Sequence, residues 1–282
     1  MDSEDRGMFA QIAVAENYQR YLQPYLFDPW AQRLVDSVGL RSGQRVLDVA
    51  AGTGAVARAA ASAVGQTGLV IASDISRWML SSLQAADTGE AADTAVLDTA
   101  AAPIEILVCP ATEIAMPDAS VDVVFCHQGF PFMPDRVAVA REMHRVLRPG
   151  GIVAVGVWAL GEPLYPFDSY AEFVRKHLPD SGFARAMATG SLSMTTESVA
   201  EALSAGGFAE VTATREHLTV QWPTASDEAR GITGTPFGPE LESLDSVARE
   251  TFLSELAVWI ADEHGATVPH PMVSVFGRGT RR

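Results

Sequence analysis

One short segment carries residue types whose spacing could bind an anionic or nucleoside-like ligand. An apolar run that contains a single acid, Asp48, leads directly into the turn Gly52-Thr53-Gly54. Glycine lets a backbone approach a ligand closely, and the helix predicted to follow offers unpaired N–H groups and a positive dipole end. The segment therefore predicts a strand, a ligand-binding turn that includes Ala50, and a helix N-terminus.

A second acid, Asp74, lies at a spacing from this turn that is typical of nucleoside-binding sites. Asp74 follows Gly54 by twenty residues and ends the next apolar run. A carboxylate there can accept hydrogen bonds from both hydroxyls of an adenosine ribose. Dinucleotides and S-adenosylmethionine are both bound by such a layout, and residues 52–57 formally match the dinucleotide fingerprint. Asp48 favours S-adenosylmethionine, because a carboxylate is unhelpful beside a pyrophosphate but suits a ligand with an ammonium and a sulfonium group.

His127 is the candidate catalytic residue. It ends the fourth apolar run, at the sheet edge where open α/β folds bind ligands. A neutral imidazole could take a proton from a hydroxyl or phenol, and it could equally line the pocket. Two further groups could cover a ligand or serve as packing alone: an N-terminal aromatic cluster and an apolar set. They are Tyr18, Tyr21, Tyr25, Phe27 and Trp30, and Phe183, Met187 and Met194.

The elements that must position these residues alternate between strands and helices. Near-continuous apolar strands separated by helices are typical of a parallel sheet that is covered on both faces. The predicted strands are Arg45–Ala50, Leu69–Asp74, Ile104–Cys109, Val121–His127 and Gly151–Trp158, and the predicted helices lie near Gly54–Val64, Ser76–Ala86 and Pro134–Leu147. Residues 85–102 are predicted to be a surface insertion.

The flanking segments predict a division into three zones. Residues 1–40 form a helical arm that starts near Phe9, with a second helix beginning sharply at Asp28-Pro29 and ending at Gly39. Residues 41–158 form the cofactor-binding core. Residues 159–282 form a lid and complete the sheet, with these predicted elements: helices Phe167–His177, Thr196–Ala205 and Leu241–His264, a loop around Thr189–Thr195, and strands Glu210–Trp222 and Pro271–Phe276.

Composition narrows the function classes further. The 282-residue chain is 48% hydrophobic and carries a net charge of −15, which argues against nucleic-acid and anionic-membrane partners. Its two cysteines, Cys109 and Cys126, fall in apolar runs and indicate core residues in a reducing compartment. No metal-ligand spacing, signal peptide or membrane-spanning run is evident. We therefore expect a cytoplasmic protein with a small-molecule partner. The sequence leaves open whether the protein forms a homodimer.

Four ordered motifs resemble those of class I S-adenosylmethionine-dependent methyltransferases, closest to the ubiquinone/menaquinone-type small-molecule branch. They are residues 48–54 (Asp-Val-Ala-Ala-Gly-Thr-Gly), 72–76 (Ala-Ser-Asp-Ile-Ser), 116–124 with Met-Pro-Asp and Val-Asp-Val-Val, and 141–151 ending in Arg-Pro-Gly-Gly. The resemblance covers about Gln44 to Val157, with residues 125–135 similar to that branch's loop after the fourth strand. It implies an α/β, Rossmann-like, seven-stranded, mostly parallel sheet whose last strand is antiparallel.

The resemblance also implies roles for single residues. Asp48 and the turn from Ala50 through Gly52 to Gly54 would border the methionine end of S-adenosylmethionine. Asp74 would hold the ribose, and Ile75 would pack on the adenine, whose edge would be met by Ala111, Thr112 and Glu113. The family usually has an acid just after the third strand, where this sequence has Pro110.

The reaction class follows partly from residues that the fourth strand end lacks. No Asn/Asp-Pro-Pro-Tyr/Phe follows Val124, which disfavours methylation of nucleobase or glutamine amino groups. No acid replaces His127, as a magnesium-chelating catechol methyltransferase would need. We expect metal-independent, in-line transfer of a methyl group to an oxygen or carbon of a small molecule, such as a secondary metabolite. The alternatives are an NAD(P)-dependent oxidoreductase using the same turn, and a family member that has lost methyl transfer and acts as a cyclase or binding protein.

Overall fold

An eight-stranded sheet runs through the chain, whose computed structural model describes residues 12–88, 100–164, 166–265 and 269–282. Its path is β3-β2-β1-β4-β5-β8-β7, and the two-residue β6 pairs with β5 off this path. The strands are β1 (Arg45–Val49), β2 (Leu69–Asp74), β3 (Ile104–Val108), β4 (Val121–His127), β5 (Leu147–Ala159), β6 (Ser193–Met194), β7 (Ala209–Val220) and β8 (His270–Thr280). Strands β1 to β5 are parallel, whereas β8 is antiparallel to both β5 and β7. The predicted fold class is confirmed, with β6 as an addition.

Helices cover both faces of the sheet, as the near-continuous apolar strands require. They are α1 (Ile12–Asn17), a π-helical stretch (Tyr18–Phe27), α2 (Asp28–Val38), α3 (Ala55–Val64), α4 (Arg77–Thr88), α5 (Arg136–Val146), α6 (Phe167–His177), α7 (Gly182–Thr189), α8 (Thr196–Ala205), α9 (Ala225–Gly231), α10 (Gly238–Glu242) and α11 (Ser246–His264). Trp30 of α2 and Val56 of α3 belong to one apolar core, while Met143 of α5 and Leu203 of α8 belong to a second. The sheet therefore separates two buried layers.

The N-terminal arm, which we define as residues 12–38, differs from its prediction. A sharp helix start at Asp28 is wrong, because Asp28 has helical backbone angles (φ −61°, ψ −43°) and its N–H donates to the carbonyl of Gln23, five residues back. A proline in the first turn of an α-helical stretch is tolerated, so Pro29 marks a change of helix type instead of a start. The predicted end at Gly39 is confirmed, with φ at +69°.

The third zone corrects two further predictions. The single helix predicted for Leu241–His264 is wrong: α10 ends at Glu242, and Asp245 starts α11 by accepting the N–H groups of Val247 and Ala248 at 2.9 Å. Helix α7 was not predicted, and β6 lies in the predicted loop. Most of the predicted insertion at 85–102, and Phe9 of the first helix, lie outside the described residues.

The strand order places the candidate ligand site. Strands β1 and β4 lie side by side, but their connections leave toward opposite edges of the sheet, and ligands bind beyond the carboxyl ends of the strands at such a point. Asp48 pairs in register with Phe125, so His127 lies level with Ala50. Within the described ranges, no helix is long and apolar enough to cross a membrane.

Candidate active site

A cavity of about 540 Å³ opens beyond the carboxyl ends of β1, β2, β3 and β4. We divide its wall into a turn half and an aromatic half. The turn half comprises Ala50, Gly52, Asp74, Ile75, Ala111 and Thr112, and the aromatic half comprises Tyr18, Phe27, His127, Trp158, Phe167, Phe183 and Phe237. Seven of the ten predicted site residues therefore line one cavity, whereas Asp48, Gly54 and Glu113 are not among its lining residues.

The backbone angles and the packing of the glycine turn account for its glycines. Ala50, Gly52 and Gly54 all have positive φ (+56°, +56° and +88°), a region that costs glycine nothing and other residues energy. A Cβ on Gly54 would lie 2.4 Å from Leu83, so that glycine serves close packing and does not face the cavity. Gly52 lines the cavity and exposes its backbone there.

Asp74 fixes this turn to the second strand. Its Oδ2 accepts the N–H of Gly52 at 2.9 Å, and its Oδ1 accepts the N–H of Ser76 at 2.8 Å. Burial raises the pKa of Asp74, and the N–H donors from Ser76 and Gly52 oppose that shift. The N–H of Ile75 also donates to this carboxylate. A carboxylate has about four lone-pair sites, so with these N–H donors in place Asp74 can still accept a ligand hydroxyl.

Asp48 lies behind the turn and not in the cavity wall. Its side chain is 1% exposed and accepts the backbone N–H of Ala57, while its Oδ2 has no hydrogen-bond partner. Burial raises the pKa of Asp48 to about 8, with Asp74 adding to the shift and Arg58 opposing it. The side chain is therefore mostly protonated at neutral pH until a positive charge comes near.

The segment after β3 borders the turn half. Ala111 and Thr112 line the cavity beside Pro110, whose carbonyl accepts the N–H of Glu113 at 3.0 Å in a tight turn. Glu113 is exposed on the outer side of this turn. Ile75 is 46% exposed although it is apolar, which leaves a flat hydrophobic surface at the cavity rim.

The aromatic half is assembled from three parts of the chain. Phe27 of the N-terminal arm meets His127 edge-on at 6.3 Å and Trp158 at 6.1 Å between ring centroids. Phe183 of α7 lies edge-on to Phe167 at 6.2 Å and to Phe237 at 5.5 Å. Among the described lining residues, Asp74 is the one with a full charge. The aromatic half therefore suits an uncharged ligand.

His127 is held neutral in this setting. Burial lowers its pKa to about 3, and its Nε2 is buried without a hydrogen-bond partner. A neutral imidazole carries one donor and one acceptor nitrogen. The group can therefore hydrogen-bond a ligand hydroxyl, but storing a proton on it is costly.

Gln128 fixes the chain immediately after His127, the last residue of β4. Its φ is +58°, and its backbone N–H donates to the carbonyl of Gly156 at 2.7 Å. Its side chain accepts the N–H of Trp158 at 3.0 Å and donates to Ser274 at 3.3 Å. Strands β5 and β8 thus hold the position of His127.

Sequence reasoning identified part of the aromatic half. Tyr18, Phe27, Phe183 and Met187 were candidates and do line the cavity, whereas Met194 is buried on β6. Trp158 also lines the cavity without having been a candidate. The same holds for a set that no local sequence pattern marks: Leu164, Phe167, Leu192, Thr235, Pro236 and Phe237. Within the described ranges, no three His, Cys, Asp or Glu side chains are grouped so as to hold a metal ion.

Known proteins similar to this chain share its motifs. A family model described as a methyltransferase domain matches residues 47–155. The ubiquinone/menaquinone biosynthesis C-methyltransferase of Chromobacterium violaceum is 32% identical over 190 residues, which cover 64% of this chain and 72% of the relative. A demethylmenaquinone methyltransferase of Staphylococcus aureus is 35% identical over 143 residues, covering 50% of this chain and 55% of the relative.

Solved structures share the fold at low sequence identity. Phosphoethanolamine N-methyltransferase 2 of Haemonchus contortus, in complex with S-adenosyl-L-methionine, gives a TM-score of 0.60 at 18% identity and covers 100% of this chain and 61% of that one. The YcgJ protein of Bacillus subtilis gives 0.54 at 18% identity, covering 90% of this chain and 99% of that one. The matches in sequence indicate S-adenosylmethionine rather than a dinucleotide as the cofactor. The chain belongs to the class I S-adenosylmethionine-dependent methyltransferases, among relatives of the ubiquinone/menaquinone type.

Proposed function

We propose that this methyltransferase methylates an oxygen or a carbon atom of a small, uncharged, largely apolar acceptor. The observation that carries the proposal is the aromatic half, whose described residues bring no full charge to the cavity. Burying an ionic acceptor there would cost several kcal/mol without a compensating partner. The name of the Chromobacterium violaceum relative, a C-methyltransferase of ubiquinone/menaquinone biosynthesis, supports carbon as an acceptor atom beside oxygen.

The turn half fits S-adenosylmethionine by its donor set and shape. The cavity offers a glycine backbone, a partly buried carboxylate at Asp74 and an apolar surface at Ile75. We assign Asp74 to the ribose, Ile75 with Ala111 and Thr112 to the adenine, and the turn from Ala50 to Gly52 to the methionine end. Asp48 acts from behind the turn, where its carboxylate attracts a cationic ligand. When bound, S-adenosylmethionine supplies a methyl group made electrophilic by its sulfonium.

His127 acts on the acceptor in this proposal. Because burial keeps the ring neutral, we assign it a hydrogen bond from an acceptor hydroxyl, which orients the nucleophilic atom and raises its electron density. The bond from the acceptor atom to the methyl carbon forms as the methyl–sulfur bond breaks, and the proton that the acceptor loses is released to water with the products. The aromatic side chains around it exclude water, so this hydrogen bond meets little competition from solvent. The proposal assigns no step to a metal ion.

Different segments of the chain are assigned to the cofactor and to the acceptor. In this proposal the described parts of residues 41–158 hold the cofactor, while the described parts of residues 1–40 and 159–282 close over the acceptor and complete the sheet. Phe27, Phe167, Phe183 and Phe237 come from those two flanks and support this division. We keep a small molecule as the acceptor, with no nucleic-acid partner, on the basis of the net charge of −15.

The test follows transfer of a labelled methyl group to matched pairs of acceptors. Each pair consists of an uncharged hydroxynaphthalene or hydroquinone and the same ring bearing a carboxylate. We expect labelling of uncharged rings at least about tenfold faster, because the charged ring must be desolvated. Faster labelling of the carboxylates would overturn the proposal.

A pair of histidine variants tests the assigned hydrogen bond. His127→Phe should lower kcat about 100-fold while leaving the affinity for S-adenosylhomocysteine within about twofold. His217→Phe is the matched control, since His217 is exposed on β7 and does not line the cavity. Full activity of His127→Phe, or equal losses in both variants, would remove His127 from the mechanism.

A further inference from the structure

Thr53, the middle residue of the glycine turn, points away from the cavity and into the N-terminal arm. Its side chain is 1% exposed, and its hydroxyl donates to Oε1 of Gln23, which is itself only 5% exposed. A hydrogen bond between two buried side chains is costly to break, because each group would be left unsatisfied. The backbone of the turn thus faces the turn half of the cavity, while the side chain of Thr53 holds the arm.

Gln23 has a second partner on the arm. Its side-chain amide donates to the carboxylate of Asp28, which lies in electrostatic range of the Arg58 guanidinium on α3. Nη2 of Arg58 is buried without a hydrogen-bond partner, and Asp48 lies in range on its other side. Hydrogen bonds therefore link the glycine turn to Asp28 of the arm, and the Arg58 guanidinium lies in electrostatic range of both Asp28 and Asp48.

The same arm supplies the wall of the aromatic half. Tyr18 and Phe27 line the cavity four or five residues on either side of Gln23, and their rings stack at 4.6 Å. Phe27 also contacts His127. The arm is tied to the third zone as well, because the indole of Trp222 donates to the carbonyl of Tyr21 at 2.6 Å. We therefore expect a shift of Gln23 to displace Tyr18 and Phe27, which line the aromatic half.

We propose that Gln23 is a positioning residue that couples occupancy of the turn half to the placement of Tyr18 and Phe27 in the aromatic half. Cofactor that orders the turn orders Thr53, Thr53 holds Gln23, and Gln23 holds the arm over the acceptor. The two ligands then bind with positive cooperativity. The coupling rests on the proposed use of the two halves, and it adds a route between them that neither half contains alone.

The first experiment measures the affinity for S-adenosylhomocysteine by calorimetry in a double-mutant cycle. Gln23→Leu and Thr53→Val should each weaken binding about fivefold, and the double variant should be no weaker than either single one. Thr53→Ser keeps the hydroxyl and should restore wild-type affinity. Gln32→Leu is the matched control, because Gln32 lies on the exposed face of the same arm and bonds Asp36 there.

The second experiment measures hydrogen exchange in residues 18–27 at saturating S-adenosylhomocysteine. The wild type and Thr53→Ser should gain protection in this segment, whereas Thr53→Val should gain little although its cofactor site is filled. Equal protection in Thr53→Val, or additive losses in the cycle, would overturn the coupling. A wild type that binds cofactor and shows this protection but methylates no uncharged acceptor would instead count against the proposed function alone.

Discussion

Replacing Asp48 by asparagine should stabilise the cofactor-free protein, and more so as the pH rises. Burial raises the pKa of Asp48 from 3.8 to about 8, so the folded state binds more protons than the unfolded chain between those values. The wild type therefore loses stability as the pH rises through this window. Asparagine has nearly the same shape but does not titrate, so its stability is free of this dependence.

The magnitude follows from the two pKa values. Keeping Asp48 protonated in the folded state lowers the stability of the wild type by about 1.5–2 kcal/mol at pH 5 and by about 4–4.5 kcal/mol at pH 7. The difference in stability between the two proteins should therefore widen by about 2.5 kcal/mol over this range. The unpaired Oδ2 is replaced by an unpaired amide, whose cost is about 1–3 kcal/mol and does not depend on pH. The widening, and not the absolute difference, is thus the quantity to measure.

Urea unfolding of both proteins without cofactor, followed by tryptophan fluorescence at pH 5, 6, 7 and 8, measures this widening. Subtracting one protein from the other removes the titration of every other group. A difference that stays constant within about 0.5 kcal/mol would show that Asp48 ionises normally in the folded protein and would refute the reasoning. Asp122→Asn is the control, because Asp122 is a partly exposed acid that already bonds Arg45 and Arg148.

Three further predictions concern stability. Burial lowers the pKa of His127 to about 3, so the unfolded chain binds a proton at pH 5 that the folded protein does not. The free energy of unfolding of the wild type should therefore fall by about 2 kcal/mol between pH 7.5 and pH 5 through this residue. His127→Phe should remove that loss in urea titrations, and an unchanged pH dependence of stability would contradict the prediction. Gly54→Ala should destabilise the folded protein by about 2–4 kcal/mol, because the new Cβ would lie 2.4 Å from Leu83. Adding Leu83→Ala should recover part of the lost melting temperature. An unaltered melting temperature in the single variant Gly54→Ala would refute the clash. His270→Phe should lower the free energy of unfolding by about 3 kcal/mol, because it leaves Glu228, the buried partner of His270 at 3.0 Å, unpaired. Adding Glu228→Gln should restore stability. Equal stability of the single and the double variant would show that the pair is not coupled.

Local sequence patterns determined the parts of this protein that depend on neighbouring residues. Alternating apolar strands and helices predicted the parallel sheet, and the glycine turn with Asp74 twenty residues on predicted a nucleoside cofactor at its edge. These features follow from backbone sterics and from periodic burial, which act over a few residues. The roles of single residues such as Glu113 and Ile75 stay predictions.

Tertiary structure alone decided which side chains meet in the cavity. Phe27, Trp158, Phe183 and Phe237 are far apart in sequence, and only the packing of the arm and the third zone over the sheet edge brings them together. The helix start expected at Asp28 does not occur, and the π-helical stretch before it is held by contacts from distant parts of the chain, such as the hydrogen bond from the Trp222 indole to the Tyr21 carbonyl. The state of Asp48 was likewise undecidable from sequence, because a carboxyl group's pKa depends on its burial and its charged neighbours, which are properties of the folded chain.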